Sequence, residues 1–354
     1  MVLYVGGDVS RNRIDWEAAW PDGVVFGRGQ VRADRAGLAA FAAQLGCHAD
    51  RVVLVIESMT GARYVHDTLE RLGWEVQIAD ARRARERIVA LAETRGCKTD
   101  RTDAAGLADL ARRGLVPEIW LPDPATRGGR ELARFRLHLV KHRTMLKNRI
   151  HQTLISNGVG YAGSDLFGSG GRRTLARLRL PEPWQTTVAV TLEVIDHLDE
   201  EISTCQQRFR AEGYDHPDRE LLETLPGVGR ILGYTIACEL GTITRFAQPR
   251  KLVGYTGLCP QVHQSGESDH RGPLKKNGPK WLRWALIEAA HINGRNPRSP
   301  YYSLYQAHRK RLGAQRGPAV AAIVVARKQA EAAWYMLTRR QAYRPQGAAR
   351  GLAA

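Results

Sequence analysis

Cysteine is sparse in this sequence and never clustered. Five residues (Cys47, Cys97, Cys205, Cys238 and Cys259) are scattered through a 354-residue chain, and none lies in a Cys-x-x-Cys pair. That excludes a disulfide framework and a zinc finger, and it fits a reducing cytoplasm. No apolar run reaches bilayer-spanning length, and the opening residues lead straight into a strand with no signal-peptide pattern, so no membrane partner is expected. No Gly-x-x-x-x-Gly-Lys-Ser/Thr phosphate loop occurs, which agrees with chemistry that does not draw on nucleotide hydrolysis. Acids are short too: 36 Asp and Glu face 53 Lys and Arg, for a formal charge of +17. A polyanionic partner follows, with nucleic acid ahead of a membrane surface.

What is present starts with Lys98-Thr99-Asp100-Arg101-Thr102-Asp103-Ala104-Ala105. It precedes an apolar-periodic run (Ala104, Leu107, Ala108, Ala111, Leu115) that predicts a helix. Asp100 and Asp103 are three apart, so both carboxylates share one helix face. Acids also favour helix N-termini for dipole reasons, and the pair alone reads as a cap. Two upstream acids shift that balance. Leu3-Tyr4-Val5-Gly6-Gly7-Asp8 is a short strand ending in a carboxylate, and Arg51-Val52-Val53-Leu54-Val55-Ile56-Glu57 is a β-branched run that ends likewise. Open α/β sheets put their chemistry at the carboxyl ends of adjacent strands. Four carboxylates from two strand ends and a helix start form an oxygen-only donor set. That set suits Mg²⁺ or Mn²⁺ and a two-metal clamp on a phosphodiester.

Residues 1–118 alternate antiparallel strands, then β and α segments, and predict a mixed sheet with helices on both faces, in the order of the ribonuclease-H-like fold. Residues 119–215 predict a helical linker or oligomerisation region. Its first helix, Thr126–Ser156, carries an apolar stripe surrounded by Arg127, Arg130, Arg134, Arg136, Lys141, Arg143, Lys147 and Arg149, with Glu131 as the one acid. Solvated faces usually mix signs, so Arg134, Lys141 and Lys147 are candidate nucleic-acid contacts, a plain solvated face being the alternative. A glycine-rich stretch (Gly158 to Gly171) reads as a mobile loop. Beyond Pro181 and Pro183, Val188, Ile195, Ile202 and Phe209 recur every seven residues, with Leu198 and Cys205 between. That spacing predicts a coiled-coil seam, against either the preceding helix or a second subunit.

Residues 216–343 predict a mainly helical domain, and 344–354 a disordered tail. Leu225-Pro226-Gly227-Val228-Gly229, between two helices, looks like a helix-hairpin-helix. Gly227 and Gly229 allow the sharp turn, and the following helix's free N–H groups can face a phosphate. An ordinary helix–helix turn is the alternative. Farther on, Ser265 lies in a polar loop with His263 before it and Arg271, Lys275, Lys276, Lys280 and Arg283 after it. A nucleophilic serine needs a base or metal and cations for the phosphate; only the cations are local. A simple turn is the other reading of this stretch.

These motifs together resemble the DEDD-type insertion-sequence transposases also called bridge recombinases (insertion sequence family one-ten). The resemblance is carried by Gly7-Asp8-Val9-Ser10, Glu57-Ser58-Met59-Thr60-Gly61, Lys98 to Ala104, Leu225 to Gly229, Tyr255-Thr256-Gly257-Leu258-Cys259-Pro260, His263-Gln264-Ser265-Gly266, Arg271-Gly272 and Lys276-Asn277-Gly278. It implies a RuvC-like N-terminal domain whose metal site falls on Asp8, Glu57, Asp100 and Asp103. It also implies a C-terminal transposase domain with a serine nucleophile that maps to Ser265. The family is thought to join one subunit's metal site to another's serine and to form a 5′-phosphoserine link to DNA. An element-encoded guide RNA directs it, and its long helices pair subunits. Expected partners are therefore donor and target DNA, a guide RNA, and further copies of the chain as a dimer or tetramer, in a prokaryotic cytoplasm at the nucleoid. The family's loop often reads Ser-Ser-Gly-Gly; here it is Gln264-Ser265-Gly266-Glu267, which leaves Ser268 as a second candidate. The alternative function is a metal-dependent RuvC-like nuclease or junction resolvase in which water attacks and Ser265 is structural.

Overall fold

The computed structural model describes residues 1–91, 100–160, 165–213, 216–265, 268–274 and 277–345. The chain forms two compact units, Met1–Leu121 and Pro122–Ala354.

In the first unit, β1 (Val2–Val9), β2 (Arg13–Ala19), β3 (Val25–Arg32), β4 (Arg51–Glu57) and β5 (Glu75–Ala79) form one sheet in the order β3-β2-β1-β4-β5. The β1–β2 and β2–β3 pairs are antiparallel; β1–β4 and β4–β5 are parallel. The sheet is mixed, as expected from antiparallel strands followed by β–α alternation. Side-chain alternation divides it into two faces. Leu3, Val5, Val9, Leu54 and Ile56 pack with Leu38, Phe41 and Leu45 of α1 (Arg35–Gly46) and with Val65 and Leu69 of α2 (Ala62–Arg71). Val55 and Ala79 face the other way, onto Ala84 of α3 (Ala81–Leu91) and Leu107, Leu110 and Ala111 of α4 (Asp100–Arg112).

The seating of α4 depends on Gly6. A Cβ at Gly6 would overlap the Ala104 carbonyl oxygen and the Ala108 amide, and would lie 2.9 Å from Leu107 Cβ. Backbone therefore rests directly on backbone, an approach open only to glycine.

The second unit begins with α5 (Pro124–Ser156), whose first turn is capped by Asp123 accepting from Thr126 N at 2.9 Å, with proline at the start of the helix. Thr126's hydroxyl and amide hold the Asp123 carboxyl below the usual carboxylate range. Helix α7 (Trp184–Gly213) packs along α5 in the opposite sense. Val188 and Ile195 join Ile150 and Leu154 in one cluster, while Asp199 pairs with Arg143 farther back along α5. Val188, Ile195, Ile202 and Cys205 of the predicted seam are buried within this single chain; the Phe209 side chain lies outside the described residues. The glycine-rich stretch differs from the mobile loop expected of it. Gly170 and Gly171 belong to α6 (Ser169–Arg177), and Leu166 and Leu175 are buried in the α5–α7 cluster. Residues 161–164 of that stretch lie outside the described residues.

There follow α8 (Arg219–Glu223), α9 (Arg230–Leu240), α10 (Pro249–Thr256), the hairpin β6 (Pro260–Ser265) and β7 (Ser268–Leu274), α11 (Lys280–Arg295) and α12 (Tyr302–Arg339), the last bent at Gly313. Leu222, Leu232, Ile236, Leu252, Leu282, Leu286, Val325 and Met336 are among the side chains of their common core. The chain is described as far as Pro345, and Tyr343 is held by its amide on Thr224 Oγ1 at 2.9 Å; most of the tail assigned to 344–354 lies outside the described residues. No helix among the described residues is long and apolar enough to cross a membrane.

Gly6→Ala should cost about 1–3 kcal/mol of stability, since the added methyl must push α4 off β1. Gly46→Ala, in α1 with open space around it, should be neutral or slightly stabilising. Thermal unfolding of the two variants beside the parent checks the contrast.

Candidate functional site

Asp8 and Glu57 reach one end of the sheet through strand register. Gly7 of β1 lies beside Ile56 of β4 in a parallel pair, which carries the next residues, Asp8 and Glu57, to the same carboxyl-terminal edge. Both fall on the α4 face: Asp8 alternates with Tyr4 and Gly6, and Glu57 with Val55. Helix α4 runs antiparallel to β1 across this face. Ala111 shares a cavity wall with Tyr4, and Ala104 rests on Gly6. Continuing along that line brings the first turn of α4, with Asp103 and Asp100, toward the Asp8 end of β1. The Asp103 side chain is 19% exposed, and Arg85 of α3 stands 3.6 Å from its Oδ1.

These donors are all carboxylates, which fit a hard divalent cation by kind and by the edge they share. Among the described residues no three acidic, histidine or cysteine side chains already stand close enough to hold an ion. The Asp100 side chain lies outside the described residues, so three of the four predicted ligands can be placed by side chain.

Two features of this edge escaped sequence reasoning. Asp15 sits directly across from Asp8 on β2, yet its carboxylate accepts from Arg13 Nε at 3.0 Å and Gln30 Nε2 at 2.6 Å, which engages it within the sheet. Arg85 is one of four arginines on α3, and its nearness to Asp103 depends on α3 packing on α4. A cation there offsets carboxylate repulsion.

Ser265 ends β6, and its register partner on β7 is Ser268. Both candidate serines thus flank the tip of one two-stranded hairpin, with Gly266 and Glu267 at the tip outside the described residues. His263 pairs in register with His270, and Arg271 with Val262; the side chains of Ser265, Ser268, His263 and Arg271, and residues Lys275 and Lys276 entirely, lie outside the described residues. Cys238 is no rival nucleophile: burial pushes its thiol up to about 12.

The cations predicted to meet nucleic acid have different surroundings. Arg134 makes a bidentate bond to Glu239 of α9, Nε to Oε1 at 2.6 Å and Nη2 to Oε2 at 2.9 Å, where Glu239 is fully buried. Arg130 donates from Nε to the Cys238 carbonyl at 2.8 Å and from Nη2 to that of Glu239 at 2.7 Å. The expectation put Arg134 on a phosphate; the structure gives it an internal carboxylate, and the cause is an acid supplied by a distant helix. Gly227, expected at a phosphate, faces α11 instead. It has φ +79, and a Cβ there would lie 2.5 Å from Ala289 O and from Asn293 Nδ2. Asn293 and Gln329 both donate to the Pro226 carbonyl, at 2.8 and 2.9 Å, which fastens the turn inward. Gly229, Lys141 and Lys280 are exposed, Lys280 lying 4.8 Å above the Trp281 ring. Lys147 stands 4.9 Å over Phe167.

Comparison with known proteins finds transposases. A DEDD transposase family model of the IS110 type matches residues 5–156, and the model described as "Transposase IS116/IS110/IS902 family" matches residues 219–303. The chain is 25% identical over 306 residues to the transposase for insertion sequence element IS1111A of Coxiella burnetii, covering 82% of this chain and 79% of that one. It is 26% identical over 315 residues to the putative transposase y4qE of Sinorhizobium fredii, covering 86% and 75%. A shorter stretch of 73 residues, 20% of this chain and 23% of the other, is 37% identical to the pilin gene-inverting protein of Moraxella bovis.

Arg134→Ala should leave Glu239 buried with weakened compensation and cost about 3 kcal/mol in denaturant unfolding. Lys141→Ala, at an exposed position, should change stability by less than about 0.5 kcal/mol.

Proposed function

Because the chain belongs to the IS116/IS110/IS902 family of DEDD transposases, we propose that it moves its insertion sequence by a metal-dependent strand exchange through a DNA–phosphoserine intermediate. That the chain is a DNA transposase follows from the family; the DEDD domain implies a divalent metal. The finer scheme rests on one observation above the rest. Register and the Gly6 contact direct Asp8, Glu57 and the first turn of α4 to a single edge of the sheet.

Asp8, Glu57, Asp103 and Asp100 would hold Mg²⁺ or Mn²⁺, which when bound neutralises charge developing on the scissile phosphate. Arg85, 3.6 Å from Asp103, orients that carboxylate. Ser265 attacks phosphorus in line: the Oγ–P bond forms as the bond to the 3′-oxygen breaks, and the serine proton passes to the departing 3′-hydroxyl. The phosphodiester energy is kept in the protein link, so a second 3′-hydroxyl can reverse the step and reseal a new junction without nucleotide hydrolysis. Placement at a hairpin tip gives such a serine reach.

The acids and the serine belong to different units of the chain. We read the active form as a homo-oligomer, dimer or tetramer, in which one copy's serine serves another copy's acids, with the outer faces of the long helices α5 and α7 pairing copies. Lys141, Lys147, Lys280, Arg271, Lys275, Lys276 and the helix-hairpin-helix turn at Gly229 contact donor and target DNA backbone. That sequence-independent set leaves sequence choice to a guide RNA encoded by the element. The action is at the nucleoid.

The test is a suicide DNA substrate whose released strand diffuses away, analysed on a denaturing gel for labelled DNA attached to protein. The parent and Ser268→Ala should give the adduct, and Ser265→Ala should not. Asp103→Asn should slow its formation by about 10²-fold or more. Cleavage without any adduct in the parent would instead identify water as the nucleophile and the protein as a RuvC-like nuclease.

A further inference from the structure

The break in α12 displays a patch of charge that the proposed chemistry does not use. Between Ala307 and Gly317 the sequence reads His308-Arg309-Lys310-Arg311-Leu312-Gly313-Ala314-Gln315-Arg316, four full cations and no acid. Arg309, Lys310, Arg311 and Arg316 are all exposed, and among the described residues no carboxylate pairs with them. The one polar contact among the side chains of this stretch joins Arg311 Nη2 to His308 Nδ1 at 3.3 Å. Elsewhere on this protein, surface cations such as Arg82 and Lys328 have acids one helical turn away.

The corner is also built to hold its shape. Gly313 has φ 72 and ψ −178, a conformation open in practice only to glycine. Gly317 then packs so tightly that a Cβ there would overlap the Arg309 carbonyl oxygen and lie 3.0 Å from Arg309 Cα. Arg309 and Arg316 are thereby brought together from opposite sides of the bend. Tyr305, buried beneath it, braces both arms: its hydroxyl is 3.0 Å from His291 Nδ1 and donates to the Pro318 carbonyl at 3.4 Å. Gln306 Nε2 adds a bond to the Gly294 carbonyl at 2.7 Å. Two glycines and a buried tyrosine thus hold in place a cluster of like charges that repel one another. Unpaired like charge on a braced corner is matched by a partner bearing regularly spaced negative charge.

We propose that the Gly313 corner is a nucleic-acid-binding site that grips the phosphodiester backbone through Arg309, Lys310, Arg311 and Arg316, residues other than those of the serine hairpin and the acid edge. It rests on the reading of the chain as an enzyme of nucleic acids. Its contribution is anchoring: the contacts are to backbone, carry no sequence preference, and weaken with salt as released counterions are replaced.

The test uses the full chain and measures binding, by fluorescence anisotropy, to a labelled duplex DNA and a labelled hairpin RNA of arbitrary sequence across a salt series. The variant R309Q/K310Q/R311Q/R316Q should bind at least about tenfold more weakly near 0.15 M salt, and its slope of log K against log salt should be shallower by about 2–4. A thermal melt matching the parent shows that the fold is intact. Should the fourfold variant fail that check, Lys310→Gln and Arg316→Gln alone should each make the slope shallower by about 1. Gly313→Ala keeps every charge but strains the bend, and should weaken binding with no loss of cations. Weakening on duplex DNA alone assigns the corner to DNA, on RNA alone to RNA, and on both to backbone generally. Affinity and slope unchanged on both overturn the proposal. A parent chain that binds neither probe overturns the underlying reading as well.

Discussion

The geometry of the first unit depends on one contact without side chains, the carbonyl of Ala104 resting on Gly6. A helix crossing a sheet normally stands off by the thickness of its side chains. Here the missing Cβ lets α4 descend onto β1 two residues before Asp8, so its acidic first turn is carried toward the strand ends. Register does the same for Glu57, which reaches the edge because Gly7 and Ile56 are partners. The acids of this edge come from three separate stretches of chain, and backbone geometry places each stretch.

Much of this was readable from residue order. Short apolar and β-branched runs identified β1 and β4, and the acids ending them marked the shared edge. The apolar period after Asp103 identified α4. What could not be read was anything that joins distant segments. The cationic helix around Arg134 has almost no acids of its own, so local charge patterning pointed outward to a polyanion. Glu239, more than a hundred residues later, turns Arg134 inward, and Asp199 of α7 pairs with Arg143 at the surface. No i,i+4 rule can see such pairs. Gly227 taught a related lesson. Its left-handed turn was legible, but Asn293 and Gln329, which tie Pro226 to the interior, lie on α11 and α12.

The serine hairpin shows a third kind of limit. Sequence alone ranked Ser265 above Ser268 by motif. Their register makes them neighbours across the ribbon, so choosing between them requires chemistry rather than position. The corner at Gly313 does not show in residue order; only the backbone angles reveal the bend that seats Gly317 against Arg309.

The bond between Arg134 and Glu239 also bears on how this chain is divided. The DEDD family match ends at residue 156, beyond the boundary between compact units and inside the second of them, whereas the other match starts at residue 219. Arg134 falls under the first match and Glu239 under the second. Homologous halves swapped at the seam between the two matches would each bring one member of a mated pair from a different parent. Modular exchange among such elements is therefore restricted to parents that share both partners, and these two residues should be inherited together.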